Sequence, residues 1–192
     1  MNDQPTDGQL WNALRGGDKA ALKQIYDAES IYLYNYGKKI FQDITRVEDA
    51  IHDLFVDIWQ RHKTLGDTDN IRWYLAASLR RRIVSDLKKT TKTQSVESFE
   101  QIQFEPELAI ESILINQEIS DEKSHKLKKA FATLSDRQKE LLYLRFYQGL
   151  DYEQIGEMLD IQYQSLRNMV SRAIKKLRTE MLLWALIYLV WL

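Results

Sequence analysis

DYEQIGEMLDIQYQSLRNMVSRAIKKL, Asp151 to Leu177, is the stretch on which the fold turns. Asp151 is a residue type that accepts from the free amides of a first helical turn, so it starts a short helix that runs through Met158. Ile155 and Leu159 lie one helical turn apart on the same face. Gly156 beside them is small enough for a crossing helix to come close. Asp160 and Ile161 form a turn, and a second helix opens near Tyr163 with Leu166, Met169 and Val170 facing back onto the first. Two short helices at a steep crossing need this apolar pattern, and it predicts a helix-turn-helix within Thr133–Met181. Such a second helix presents its N-terminal residues to the DNA major groove. Here these are Tyr163, Gln164, Ser165, Arg167 and Asn168. Gln and Asn pair bidentately with adenine and Arg with guanine. Arg172, Lys175 and Lys176 suit phosphates, which supply affinity and register rather than sequence. Asp160 stands where a turn of this kind often has Gly; Asp tolerates the left-handed conformation less well than Gly but better than most residues. The same spacing also describes two core helices of a bundle with a solvated basic face, so the rest of the chain has to decide.

The chain has 192 residues, 44% hydrophobic and 29% charged, which is the composition of a folded protein with room for one ordinary domain or two small ones. Only 7 Gly and 2 Pro interrupt it, and alternating β-branched runs around tight turns are missing, so an all-α fold is expected. With no Cys there is no disulfide, thiolate nucleophile or Cys-based zinc site, consistent with a cytoplasmic protein. Met1 to Gln9 lacks the order of a signal peptide. The net charge of −1 hides an uneven distribution. Arg72 to Lys92 holds seven basic residues and one acid, Ser95 to Glu122 eight acids and no base, and Ile161 to Glu180 five bases and one acid. Two basic blocks around an acidic linker suggest two polyanion-binding modules.

Apolar residues at three- and four-residue spacing place helices on either side of Gly16-Gly17, with Asp18 as an N-cap. A clearer amphipathic helix covers about Arg46 to His62. Val47, Ile51, Leu54, Phe55, Ile58 and Trp59 form its stripe, and Glu48, Asp49, Asp53 and Asp57 its other face. The next helix, about Asn70 to Lys89, turns Tyr74, Leu75, Leu79, Ile83 and Leu87 inward and Arg72, Arg80, Arg81 and Lys88 outward. Helical segments are also expected over Glu107–Asn116 and Glu118–Thr133. Ser135, with Gln138 three residues on, caps a helix that continues through Phe146 to Gly149. The expected organisation is a helical domain over 8–92, a linker over 93–120, the helix-turn-helix domain over 121–181 and an apolar tail over 182–192.

Further motifs accompany the helix-turn-helix. Leu134-Ser135-Asp136-Arg137-Gln138, Gln154-Ile155-Gly156-Glu157-Met158-Leu159 and Arg172-Ala173-Ile174-Lys175-Lys176-Leu177 line up in order. In the N-terminal half stand Glu48-Asp49, His52-Asp53, Phe55 and Trp59, then Tyr74-Leu75 and Arg80-Arg81. Together these resemble regions 4 and 2 of bacterial sigma-70 family sigma factors, over about Leu10–Lys89 and Leu127–Met181. The two-domain layout resembles the extracytoplasmic-function (ECF) class. The Tyr-Leu opening and the apolar tail look closest to the iron-citrate-like group of Bacteroidetes. His52-Asp53 replaces a usual Gln-Glu, and Arg81 a usual Asn. The resemblance implies that core RNA polymerase is a partner, through its β′ clamp and β flap, with Asp49, His52, Asp53 and Asp57 at the clamp. It implies −35 recognition by the helix-turn-helix. Melting and holding of the −10 element would fall to Lys63, Asn70, Arg72, Trp73, Arg80, Arg81 and Lys88. It further implies an anti-sigma factor, an acidic linker near the RNA exit path, and no catalysis and no cofactor.

Phe55 and Trp59 read more readily as core residues than as polymerase contacts. His52, His62 and His125 are scattered, so no metal site is expected. No P-loop, GxSxG or HExxH motif occurs. The tail MLLWALIYLVWL, Met181 to Leu192, is shorter than the about 20 apolar residues a membrane span needs. Exposed in water it would form a large apolar patch, so it needs a cover: its own domains, a partner or second copy, or lipid. Packed between the domains it would hold the protein closed. Two other readings of the chain remain: a helix-turn-helix regulator that never meets polymerase, and a helical adaptor assembled through its tail.

Overall fold

The computed structural model describes residues 5–90, Phe104 and 121–190, with side chains described for 5–87, 104 and 127–179. Every regular element among the described residues is helical, and the chain divides into two compact units, Met1–Phe99 and Glu100–Leu192.

In the first unit, α1 (Asp7–Arg15) opens on a reciprocal cap: Thr6 Oγ1 accepts from the Gln9 amide and Gln9 Oε1 from the Thr6 amide. It buries Trp11 and Leu14 completely. The Trp11 indole donates to the Gly66 carbonyl at 2.8 Å and its ring meets Tyr74 edge-on at 4.8 Å. Asp18 caps α2 (Lys19–Ile40), accepting from the Ala20 amide at 2.7 Å, and Asp43 caps α3 (Ile44–Gln60). The expected stripe of α3 is inside from Val47 to Ile58, Phe55 included, whereas Trp59 at its end is half-buried and stacks on His62 at 4.9 Å. After a 3-10 turn at His62–Thr64 comes α4 (Ile71–Thr90). Its first turn is capped from two sides. Asn70 Oδ1 accepts from the Trp73 amide and Asp7 Oδ2 from the Ile71 amide, both at 2.9 Å. Helices α2, α3 and α4 pack pairwise around Leu33, Tyr36, Ile40, Val47, Leu54, Leu75 and Leu79. Where α2 meets α3, a Cβ built on Gly37 would lie 2.5 Å from Val47 Cγ1, so only glycine permits this approach.

The outward placement of Arg80 does not hold: it is 3% exposed. Ala76, Leu79, Ile83 and Val84 are buried around it, and Arg80 sits at the i+4 position from Ala76, on the apolar stripe rather than beside Arg81.

In the second unit, α5 (Asp121–Ala132), α6 (Asp136–Leu142) and α7 (Tyr152–Leu159) each contact α8 (Tyr163–Val190). Ser135 and Gln138 form the expected box, and Asp151 and Gln154 repeat it at α7. The helix from Ser135 does not stay α-helical to Gly149; it widens at Tyr143–Tyr147 into a π turn, where the Gln148 amide reaches the Tyr143 carbonyl at 3.1 Å. Leu141, Leu142, Tyr143 and Leu144 are all buried, and four consecutive residues sweep about 300° of an α-helix, too much for one contact face. The wider turn shifts the register and leaves Phe146 62% exposed. Gly156 has a different neighbour from the expected one. A Cβ there would stand 2.9 Å from the carbonyl oxygen of Ile161, so the turn backbone, not the crossing helix, requires glycine. Asp160 adopts the left-handed conformation at φ 54°, ψ 53°. The backbone of α8 runs unbroken to Val190, about 42 Å at 1.5 Å per residue. The side chains of Glu180 to Val190, and with them any cover of the tail, lie outside the described residues, as do the expected helix Glu107–Asn116 and most of the acidic linker. No helix among the described residues is long and apolar enough to cross a membrane.

Candidate nucleic-acid interface

The turn at Asp160 sets the start of α8. Leu166 and Val170 pack inward, and Tyr163, Gln164, Ser165, Arg167 and Asn168 are all exposed. Tyr163 is braced by the edge of Tyr152 at 5.9 Å, with the Arg167 guanidinium 5.9 Å from its ring centre. Arg145 lies 4.9 Å over Tyr152 and donates to the Leu150 carbonyl at 2.7 Å, tying the π turn to the start of α7. The exposed arc of α8 has two flanks. Ser165, Asn168 and Arg172 line one cleft with Ser135, Arg137 and Gln138 from the start of α6. Arg167, Ser171, Lys175 and Arg178 line the other with Tyr152. A helix with cations on both flanks has the charge pattern that suits a groove walled by two phosphate strands.

Lys176 is exposed, but its ammonium donates to the Thr133 carbonyl just beyond α5. At 100° per residue it falls near Met169 at the edge of the buried face, away from Lys175. It therefore pins α8 within its unit, unlike its expected place among the phosphate-facing bases. The basic residues that sequence reading missed are Arg137 and Arg178. Arg137 follows an N-cap Ser by two positions, and Arg178 stands in the basic block of α8; either signal was available.

In the first unit the expected basic residues separate. Arg81 is exposed and lines a cleft with Arg61, Tyr74, Ser78 and Arg82. Lys63 is exposed on the 3-10 turn, and Trp73 is half-buried. Arg72 is held by Glu29 of α2 through two hydrogen bonds of 2.7 and 3.1 Å, with its guanidinium 4.9 Å over Tyr32. The bond to Glu29 raises the Arg72 pKa further above its ordinary value. Asn70 serves as the α4 cap. The side chain of Lys88 lies outside the described residues. On α3, Asp49, His52 and Asp53 are exposed, while Asp57 is half-buried and accepts from Arg82, which also lies 3.6 Å from Asp53. Beside them an apolar groove is lined by Tyr26, Ile31, Tyr34, Glu48, Ile51 and His52, with Ile31 72% exposed. The α2 side of this groove, Tyr26 and Ile31, had no place among the expected contact residues. Among the described residues no cluster of His, Cys, Asp or Glu is placed to hold a metal ion.

Two helical units, the second built on a helix-turn-helix with a cationic rim, define a DNA-reading transcription protein. Residues 130–179 match the family Sigma-70, region 4. Over 171 residues the chain is 18% identical to the ECF RNA polymerase sigma factor SigK of Mycobacterium tuberculosis, covering 88% of this chain and 90% of that one. It is 21% identical over 165 residues to the ECF RNA polymerase sigma factor SigL of the same species, covering 84% and 89%. The fold is shared with the sigma factor RpoE of Bartonella quintana, solved in complex with the anti-sigma factor NepR, at a TM-score of 0.51 and 18% identity over 85% of this chain and 95% of that one. Residues 130–179 thus carry the match to sigma-70 region 4, and over most of its length the chain is similar to ECF RNA polymerase sigma factors.

Proposed function

We propose that the chain binds core RNA polymerase in the cytoplasm and directs it to promoters, the second unit reading the −35 element and the first opening and holding the −10 element. The observation that carries this is the exposed group Tyr163, Gln164, Ser165, Arg167 and Asn168, set by the left-handed turn at Asp160 and flanked by basic clefts, in a chain similar over 88% of its length to an ECF RNA polymerase sigma factor. Gln164, Ser165, Arg167 and Asn168 read base edges, with Tyr163 beside them. Arg172 and Lys175, joined by Arg137 and Arg178, hold phosphates on the two sides, and Lys176 positions the helix. For the −10 element, Lys63, Arg81 and Arg61 follow the displaced strand and Trp73 offers an aromatic face to an unstacked base. Asn70, Arg72 and Arg80 act from behind by fixing α4.

The β′ clamp docks on Asp49, His52 and Asp53 and on the adjoining groove of Tyr26 and Ile31; Asp57 supports that surface through Arg82. The β flap takes the second unit, and an anti-sigma factor competes for these surfaces. The protein acts by binding, with no reaction of its own. The Tyr-Leu start of α4 and the apolar end of the sequence support membership of the iron-citrate-like group of Bacteroidetes.

Run-off transcription with purified core polymerase on a genomic promoter library tests the reading. Core polymerase with the chain should initiate at a common pair of elements. Failure of the chain, with or without residues 182–192, to co-purify with core polymerase overturns it.

A further inference from the structure

Phe104 stands apart from the segment that contains it. Its neighbours are Glu100, Gln101, Gln103 and Glu105, in a stretch of eight acids and no base, yet its ring is only 1% exposed. It packs at 5.6 Å on Tyr143, the first residue of the π turn, itself 2% exposed. Tyr143 stacks on Tyr147 at 5.0 Å and its hydroxyl accepts from Gln148 Nε2 at 2.7 Å, so the ring beneath Phe104 is held by two further contacts. The π turn creates this seat, since an α-helical register would have turned one of the four residues Leu141–Leu144 outward.

We infer that Phe104 is a clip that fastens the inter-unit segment to the second unit, and that the clip sets the spacing between the two promoter elements the protein accepts. This rests on the promoter-directing reading above. Covalent geometry supplies the link. From Thr90, the end of α4, to Phe104 the chain spans at most about 50 Å at about 3.5 Å per residue. From Thr90 to Asp121, the start of α5, the limit is about 110 Å. Seating Phe104 therefore removes as much as about 60 Å of reach, the length of roughly 17 base pairs at about 3.4 Å each. Two DNA-reading units on a short tether reject promoters whose elements lie too far apart; on a long tether they tolerate them. Phe104 is thus a specificity-determining residue that touches no DNA.

The test uses the full chain and two readouts. Because the sequence contains no Cys, spin labels at Gln24→Cys and Glu157→Cys, both exposed and outside the residues proposed to meet DNA or the clamp, report the distance between units in the free chain. Phe104→Ala should populate separations beyond the wild-type limit, and Phe104→Leu should restore it. In transcription with core polymerase on promoters of stepped spacer length, Phe104→Ala should raise the ratio of long-spacer to optimal-spacer transcript about tenfold. A merely destabilised protein would lose transcript equally at every spacer, and that result overturns the inference. So does an unchanged distance distribution. If the distances respond but the wild type directs no transcript from any promoter, the promoter-directing reading fails and the spacing role falls with it, leaving the clip as a structural fact only.

Discussion

Gly37 and Val47 set how closely α2 approaches α3, and with it the position of the acidic face of α3. Replacing Gly37 by Ala brings a methyl group to 2.5 Å from Val47 Cγ1, against the about 3.5–4.0 Å of a normal carbon contact. About 1 Å has to be absorbed by a side chain that is 0% exposed and, being β-branched in a helix, has essentially one rotamer. Overpacking of this kind costs about 1–3 kcal/mol, and Gly→Ala in a helix interior returns about 1 kcal/mol. Gly37→Ala should therefore destabilise the first unit by about 1 kcal/mol net. Val47→Ala removes two buried methyl groups and should cost about 2–3 kcal/mol. In that background the offending atom is gone and the nearest remaining one, Cβ of residue 47, lies at an ordinary 3.6 Å. There Gly37→Ala should stabilise by about 1 kcal/mol, so the effect changes sign and the coupling is about 2 kcal/mol. Urea unfolding followed by tryptophan fluorescence measures this. With Trp184 and Trp191 replaced by Phe, the remaining Trp11, Trp59 and Trp73 all report the first unit. Equal effects of Gly37→Ala in the two backgrounds would refute the reasoning, because a distant or relaxed pair adds without coupling.

Other outcomes follow from the second unit and from buried charge. Gly156→Ala pushes against the Ile161 carbonyl, a backbone atom that cannot rotate aside, and should lower the stability of the second unit by about 1 kcal/mol net of its gain in helix propensity, seen as a lower midpoint in thermal melting of that unit. Arg172→Ala should weaken binding to all −35 sequences alike and reduce the slope of log K against log salt by about 1, whereas Asn168→Ala should cost about 1–3 kcal/mol at one base pair only; binding titrations at several salt concentrations separate the two. Burial, with a smaller contribution from neighbouring Lys38, lowers the Lys39 pKa below its ordinary 10.5. The unfolded chain then binds more protons than the folded one in the window just below 10.5, so stability from this group rises with pH there. Lys39→Met should abolish that rise, which paired denaturation curves across the alkaline range would show.

Where the pattern repeated over several turns, sequence and structure agree closely. The stripe Val47 to Ile58, the caps at Asp18, Ser135 and Asp151, and the inward Leu166 and Val170 against the outward Tyr163, Gln164, Ser165, Arg167 and Asn168 all follow from helical periodicity and the demand of free amides for acceptors. Errors arose where one residue's role depended on the far side of the fold. Arg80 and Arg81 are adjacent, but 100° of rotation puts one inside and the other in a cleft, and a run of three Arg conceals that step. Arg72 and Asp57 belong to ion pairs whose partners, Glu29 and Arg82, come from other helices and leave no local trace. Gly156 does make a close approach, but to the Ile161 carbonyl of the turn that ends its own helix and not to a crossing helix. The π turn at Tyr143 was hidden because a helix that widens uses the same apolar residues as one that does not.

The two bonds that α1 sends across the first unit, Trp11 to Gly66 and Asp7 to Ile71, join residues 55 and 64 positions apart. They close the unit into a ring whose seam lies beside Lys63 and Asn70. During synthesis at about 5–20 residues per second, α1 waits several seconds for its partners, whatever the speed at which α2 and α3 form. The loop between α3 and α4 is then the last part of the ring to set and the first to open when either bond is cut. A lesion in α1 thereby acts on the loop between α3 and α4, about sixty residues away in sequence but directly fastened to it, which under the proposed function is the segment that handles melted DNA.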